Sequence, residues 1–402
     1  MADSMRLPVT ALLGANMFFS GVTFASTAPY AAIVGVETLG LTGPSYAGLV
    51  SAGAIAGTFI SVFLGYLSDR LPDRRILVLI SALAGVLGHG LIYWLRTPLA
   101  FSVSTVLIMP LGFAMFSQSF AYVRVFYNRH HPGRADFMVS MLRTVFTVAW
   151  AVVPPLAGYL AAAFSIFDVY LMSSLAYLAC ALIFAALMAD GGTRVANLPA
   201  PPKPVREAGA RGPLPVPIVT GVAGLIVVSV ATRLGGMGTP LLMVNALGGE
   251  LTDVGFLAGL AAALELPFML GWGLLLAKIS KEAILVFNAL LFGLYLVLVS
   301  RAGSVAEVLW LQCLNGIATA ALMSVSISYL QDAIKGRVGL STSLMDVVAI
   351  AATLLSGAVF GVLSIGGDYR LVLLAGGLIA IAGAMLMLAG NLGRVGLVRR
   401  AA

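Results

Sequence analysis

Residues 45–75 read Ser45-Tyr-Ala-Gly-Leu-Val-Ser-Ala-Gly-Ala-Ile-Ala-Gly-Thr-Phe-Ile-Ser-Val-Phe-Leu-Gly65-Tyr-Leu-Ser-Asp69-Arg70-Leu-Pro-Asp73-Arg74-Arg75. From 45 to 68 no charged residue interrupts the run, and then charges crowd the last positions. A helix needs roughly 20 apolar residues to cross the hydrocarbon core of a bilayer. The abrupt charged edge marks where such a helix would meet water. The whole chain is built the same way: hydrophobic residues make up 60% of its 402 positions and charged residues 10%. Soluble domains carry about 25% charged residues, so this polar supply cannot cover a water-facing surface. In lipid every backbone polar group needs an internal partner, which leaves helix bundles or closed barrels. Barrel strands alternate apolar and polar residues; the runs here are continuous, which predicts helices.

Twelve apolar runs follow, near 7–32, 45–67, 75–95, 98–123, 138–164, 169–189, 216–243, 252–276, 283–300, 304–330, 338–364 and 370–390. Ala25-Ser26-Thr27-Ala28 could pass for a signal-peptidase site, but Pro29 follows and apolar character continues to Val34. The first run is therefore expected to stay as a helix. Cys180 and Cys313 lie inside runs at no metal or disulfide spacing, and they read as small apolar residues.

The net charge of +7 reads as topology rather than as a nucleic-acid patch. Arg96, Arg301 and Arg370 fall in the odd-numbered loops, while Arg143 and Arg233 lie inside runs. The remaining Lys and Arg residues, Arg124 among them, fall in the N-terminus, the even-numbered loops or the C-terminus. The positive-inside rule then puts both termini in the cytoplasm, with the basic loops against anionic lipid. Residues 190–215 hold a Pro-rich basic stretch, Asn197-Leu-Pro-Ala-Pro-Pro-Lys-Pro and Arg211-Gly-Pro-Leu-Pro, which reads as a linker. It divides the chain into six-helix bundles at 1–189 and 216–402. The halves echo each other: Gly133-Arg134 precedes the fifth run and Gly336-Arg337 the eleventh, with Arg143 and Asp346 nine residues beyond each Arg. Gly273 through Lys278 to Lys281 is a degraded counterpart of Gly65 to Arg75. Parallel halves with substrate at their interface are a known transporter plan.

The run from Gly65 to Arg75 resembles the loop signature of the major facilitator superfamily, with Pro72 where that family usually has Gly. Trp150-Ala-Val-Val-Pro154-Pro155-Leu-Ala-Gly158 resembles the family's antiporter motif, with Val153 in place of a usual Gly. Within the superfamily the chain is most similar to the bacterial sugar-efflux transporters. The likeness rests on Asp73-Arg74-Arg75, Ala149-Trp150, Leu264-Glu265-Leu266-Pro267, and Gln331-Asp332 with Gly336-Arg337. It weakens in the seventh run, at Arg233 and Gly235-Gly236-Met237-Gly238. The resemblance implies an all-α membrane protein with twelve transmembrane helices in two pseudo-symmetric six-helix bundles. Helices one, four, five, seven, eight, ten and eleven would line the cavity. It also implies a latch in which Asp69 faces the N-terminus of helix eleven near Val338, worth roughly 0.3–1 kcal/mol. Arg70, Arg74 and Arg134 would pair with acidic loop residues, and Pro154 and Pro155 would serve gating.

Arg143, Arg233, Glu265 and Asp346 sit inside runs, where each charge costs on the order of 2.5–3.5 kcal/mol at a helix centre. They are proton-coupling candidates, with Asp346 paired to Arg143 as first choice and Glu265 second. Helical spacing aligns polar stripes: Asn16, Ser20, Thr23 and Thr27; Arg143, Thr147 and Trp150; Ser229 and Arg233; Gln312, Asn315, Thr319 and Ser326; Thr342, Asp346 and Thr353. Single Ser and Thr are expected to bond back to their own helix or to glue helices together. Asn16, Gln118, Gln312 and Asn315, whose amides demand partners, are expected with Trp150 to face substrate. His89 reads as a packed neutral histidine, His130 and His131 as loop residues, and Trp94 as an interfacial anchor.

These residues predict a monomeric secondary exporter in the cytoplasmic (inner) membrane. It would move small polar solutes, sugars foremost, by proton antiport, without cofactor, metal or nucleic acid. No Gly-rich loop followed by Lys is present to bind ATP, and no nucleophile–base or metal constellation points to an enzyme. The competing expectation is a proton-coupled multidrug exporter of amphipathic compounds, its cavity walled by Phe18, Phe19, Phe24, Tyr30 and Phe116.

Overall fold

The computed structural model describes the backbone of residues 8–195, 216–333 and 338–401, and their side chains except at 69, 332–343 and 393–401. The Pro-rich core of the expected linker and Gly336-Arg337 lie outside the described residues. The helices are α1 (Val9–Ala25), α2 (Gly43–Arg70), α3 (Arg75–Leu95), α4 (Pro98–Val103), α5 (Met109–His130), α6 (Ala135–Ala163) and α7 (Asp168–Ala189). They continue with α8 (Val216–Ala246), α9 (Leu251–Leu275), α10 (Lys281–Arg301), α11 (Val305–Ala333), α12 (Val338–Leu363) and α13 (Tyr369–Ala401). No strand occurs among the described residues. With α4 and α5 counted as one span, eleven segments are long and apolar enough to cross a membrane, and α1 is a shorter twelfth. The protein is thus an all-helical, multi-pass membrane protein.

Two spans are interrupted where the runs read as continuous. The first run ends as a regular helix at Ala25, turns over Ser26–Tyr30, and resumes as a π-helix at Ile33–Thr38. Pro29 has no N–H, and its ring crowds the carbonyl four residues back. The Thr27 hydroxyl meanwhile donates to the Thr23 carbonyl at 3.2 Å. The fourth span likewise passes through a π-turn at Ser104–Ile108, just ahead of Pro110. The widened turn relieves the same missing donor. That span also runs further than expected. α5 continues to His130, so Arg124, expected as a loop charge, is a helical residue, and so is His130.

The chain divides into two units. One holds Met1–Leu41, Leu49–Pro204 and Val254–Gly259; the other holds Thr42–Gly48, Val205–Asp253 and Leu260–Ala402. In unit 1, α1 packs on α6 and α7, α3 on α5 and α7, and α5 on α6. In unit 2, α8 packs on α12 and α13, α10 on α11 and α13, and α11 on α12. Taken span by span these are the same pairs, so the two halves repeat one packing pattern. Small residues permit it, because lipid offers no hydrophobic drive between helices and close approach must supply the attraction. A Cβ on Gly112 would lie 2.9 Å from Gly85 Cα, and one on Gly383 would lie 2.9 Å from the Gly224 carbonyl oxygen.

Candidate functional site

The loop between α2 and α3 is fastened by a residue outside the expected latch. Arg75 is buried. Its Nε donates to both Asp73 carboxylate oxygens at 2.9 and 3.1 Å, and its Nη2 to Oδ2 at 2.6 Å. Nη1 reaches the end of α7, donating to the Leu187 carbonyl at 2.7 Å, the Asp190 carbonyl at 3.2 Å and Thr193 Oγ1 at 2.6 Å. A cation among the last carbonyls of a helix is favourable, because they carry the negative end of its dipole. Burial pushes the Asp73 carboxyl up, but the hydrogen bonds and charge of Arg75, helped by the charge of Arg194, outweigh it and hold the group below its ordinary range. Tyr122 extends the cluster by donating to the Thr193 carbonyl at 2.8 Å. The signal in the sequence is an Arg that opens an apolar run two residues after an Asp.

The Asp69 side chain lies outside the described residues. Arg70 lies over the Tyr66 ring, 4.1 Å from its centroid. Arg74 is half-buried at the cap of α3, and Arg134 is exposed at the end of the Pro132–Arg134 turn.

A cleft of about 420 Å³ opens in unit 1 between α5 and α6. Phe116, Ser117, Phe120, Ala121 and Arg124 line it from one face of α5, and Val139 and Arg143 from α6. Phe116 anchors an aromatic cluster, with ring centroids 4.8 Å from Phe120, 4.5 Å from Phe146 and 6.2 Å from Phe24. Arg143, expected inside the membrane, and Arg124, expected outside it, therefore share one cleft. Arg124 lies six residues before the end of α5 and Arg143 eight residues after the start of α6. At 1.5 Å per residue both sit about 9–12 Å inside their helix ends. Gln118 is half-buried on α5 beside this face. Trp150 is half-buried against Val22, Ala25, Ala149, Val153 and Ala176.

Unit 2 holds a hydrogen-bonded network instead of a pair of cations. Gln312 Nε2 donates to Tyr295 Oη at 2.9 Å, Asn315 Nδ2 donates to Gln312 Oε1 at 2.8 Å, and Thr319 Oγ1 donates to the Asn315 carbonyl at 2.7 Å. Glu265 is half-buried, whereas Arg233 and Asp346 are exposed on α8 and α12. Arg143 and Asp346 belong to different units.

The stripe on α1 is present, but it faces inward. Asn16, Ser20, Thr23 and Thr27 are all buried. Stripe hydroxyls bond back to their own helices, as Thr147 does to the Arg143 carbonyl at 3.0 Å and Ser229 to the Leu225 carbonyl at 2.8 Å. Gln312 is likewise buried within its network. His89 is fully buried, its Nδ1 2.9 Å from the Gly85 carbonyl oxygen, while Trp94 is exposed. The double proline of α6 carries two contacts. The Pro154 carbonyl accepts from Tyr30 Oη at 3.0 Å. Pro155 packs so closely on Gly259 that a Cβ there would lie 2.6 Å from its Cγ.

Residues 13–232 match the Major Facilitator Superfamily. Sugar efflux transporter C of Escherichia coli K12 is 30% identical over 341 residues, 82% of this chain and 82% of its own length. Sugar efflux transporter A of Dickeya chrysanthemi is 30% identical over 357 residues, 86% of this chain and 85% of its own length. Among solved structures, the nucleoside transporter NupG superposes with a TM-score of 0.76 at 12% identity, covering 96% of this chain and 99% of that one; at that identity the likeness shows the fold. The repeated six-span packing, the charged loop after the second span and these relatives agree: the chain belongs to the major facilitator superfamily and is a multi-pass membrane transporter, not an enzyme.

Proposed function

We propose that the chain exports small polar solutes, sugars foremost, by proton antiport through alternating access. The observation that carries the reading is the α5–α6 cleft in a chain whose relatives are named for sugar efflux. Small-molecule sites run to roughly 300–1,000 Å³ and pair apolar walls with a few placed polar groups. This cleft has that size and that make-up. Aromatic rings suit the apolar faces of a sugar ring, and the guanidiniums suit its oxygens. The loop charges support a cytoplasmic-membrane location with both termini inside and with anionic lipid at the basic loops. The chain acts as a monomer in this reading.

For the coupling group we favour Glu265 over Asp346. A coupling carboxylate alternates between a proton and a partner. Glu265 sits half-buried within its span, whereas Asp346 is exposed. Uptake into inverted proteoliposomes under an imposed pH gradient tests the scheme. Labelled sugars should accumulate and the gradient should collapse; accumulation that ignores the gradient would overturn antiport. The Phe24, Phe113, Phe116 and Phe146 cluster favours the second reading, export of amphipathic compounds. Of the other aromatics expected to wall a cavity, Tyr30 is buried and Phe18 and Phe19 pack against the core of α1, α6 and α7. Competition by lipophilic cations, with none by sugars, would select it.

A further inference from the structure

The chemistry of the α5–α6 cleft is one-sided. Its charged groups are Arg124 and Arg143, and among the described residues no acidic side chain lines it. Ser117 supplies the remaining side-chain hydroxyl, and that hydroxyl already donates to the Ala114 carbonyl at 3.1 Å. A guanidinium carries donors only. A neutral sugar presents hydroxyls that must donate as well as accept, and this cleft offers almost nothing for them to donate to. A carboxylate or phosphate presents acceptors alone and meets a guanidinium in paired, charge-assisted bonds. The placement adds to the argument. The two guanidiniums belong to neighbouring helices at matching depth and share the cleft lining with the Phe116 and Phe120 rings. Among the described residues of unit 1, neither is paired with a carboxylate.

Resting on the exporter reading, we propose that the α5–α6 cleft selects acidic sugars, those bearing a carboxylate or a phosphate, over neutral ones, with Arg124 and Arg143 holding the anionic group and Phe116 and Phe120 the ring. The sequence separates these residues, since Arg124 reads as a loop charge until α5 is seen to continue past it.

The test is counterflow in proteoliposomes of zwitterionic lipid, with glucose, glucuronate and glucose 6-phosphate offered in parallel to the full-length protein. Glucuronate or glucose 6-phosphate should exchange at least about 10-fold faster than glucose at equal concentration. Whichever anion is faster identifies the carboxylate or the phosphate as the group held. Arg143→Gln and Arg124→Gln should each cut exchange of that anion by about 10–100-fold, the loss of one charged hydrogen-bonding partner. Arg143→Lys, which keeps the charge, should restore part of the loss. Unfolded variants would lose glucose exchange too, so the wild-type comparison of the three solutes stands as an independent arm. Glucose exchange with neither anion moving overturns this inference and leaves the exporter reading intact; no exchange of any sugar overturns both.

Discussion

The two units repeat one helix-packing pattern and place their polar residues in opposite ways. In unit 1 the cations of the α5–α6 cleft stand without acidic partners among the described residues, while a tight ion pair, Asp73–Arg75, is locked into a loop at the end of α7. In unit 2 a carboxylate, Glu265, is half-buried within its span, and Asn315, Gln312 and Tyr295 form a neutral hydrogen-bonded chain. The loop after its second span opens onto α10. There Lys281 stands at the position of Arg75 and reaches the Ser328 carbonyl at 3.4 Å. On the proposed scheme the two halves keep one scaffold and divide the work: one meets an anion, the other holds a proton.

The strongest way to break this contrast is to remove Glu265. Glu265→Gln keeps shape and hydrogen-bonding capacity but cannot cycle a proton. It should abolish pH-gradient-driven flux while solute exchange persists, and Asp346→Asn should leave the gradient response in place. The reverse pattern in inverted vesicles would move the proton site to α12. The next effect is on stability. Arg75→Gln leaves Asp73 buried without its cation and uncaps α7. Breaking a buried pair from one side costs about 3–5 kcal/mol, which should appear as a large drop in melting temperature in detergent. A shift no larger than that of Lys281→Gln in unit 2 would refute the lock. Smaller again is Gln312→Leu, which strands Tyr295 Oη and Asn315 Nδ2. Interhelical hydrogen bonds in membrane bundles are worth about 0.6–1.7 kcal/mol, so this variant should fold and melt slightly earlier. An unchanged melting temperature would show that the network adds nothing to the packing of α10 on α11.

How much of this is legible in the sequence depends on what a pattern encodes. Charge-free runs such as 45–68 report a bilayer directly, because nothing else tolerates them. Periodicity reports a shared face but not what lies opposite. Asn16, Ser20, Thr23 and Thr27 do align, yet they are buried against the rest of the bundle. Pro29 and Pro110 sit in apolar surroundings, so hydropathy runs straight through the breaks they cause. Arg124 escapes the pattern because a charge looks like the end of a span, while α5 continues past it to carry the Arg into the cleft. Arg75 escapes it because its partners at the end of α7 are chiefly backbone carbonyls far along the chain, which leave no trace in side-chain spacing.

The last contrast is one of pH, and it is the smallest because it is confined to acid. Asp73 titrates below its ordinary value in the folded protein because Arg75 outweighs the effect of burial. A depressed carboxylate stabilises the fold fully above its unfolded value, about 3.9, and that contribution is lost as pH falls through the lower folded value. Wild type should therefore lose stability on the acid side of about pH 4. Asp73→Asn, less stable at neutral pH, should lose less on the way down, so the two melting curves converge. The matching loop of unit 2, residues 276–280, holds no acidic residue, and Lys281→Gln should run parallel to wild type across the same range. If Asp73→Asn also runs parallel, the carboxylate is not what Arg75 holds, and the loop lock reduces to the cation on the end of α7.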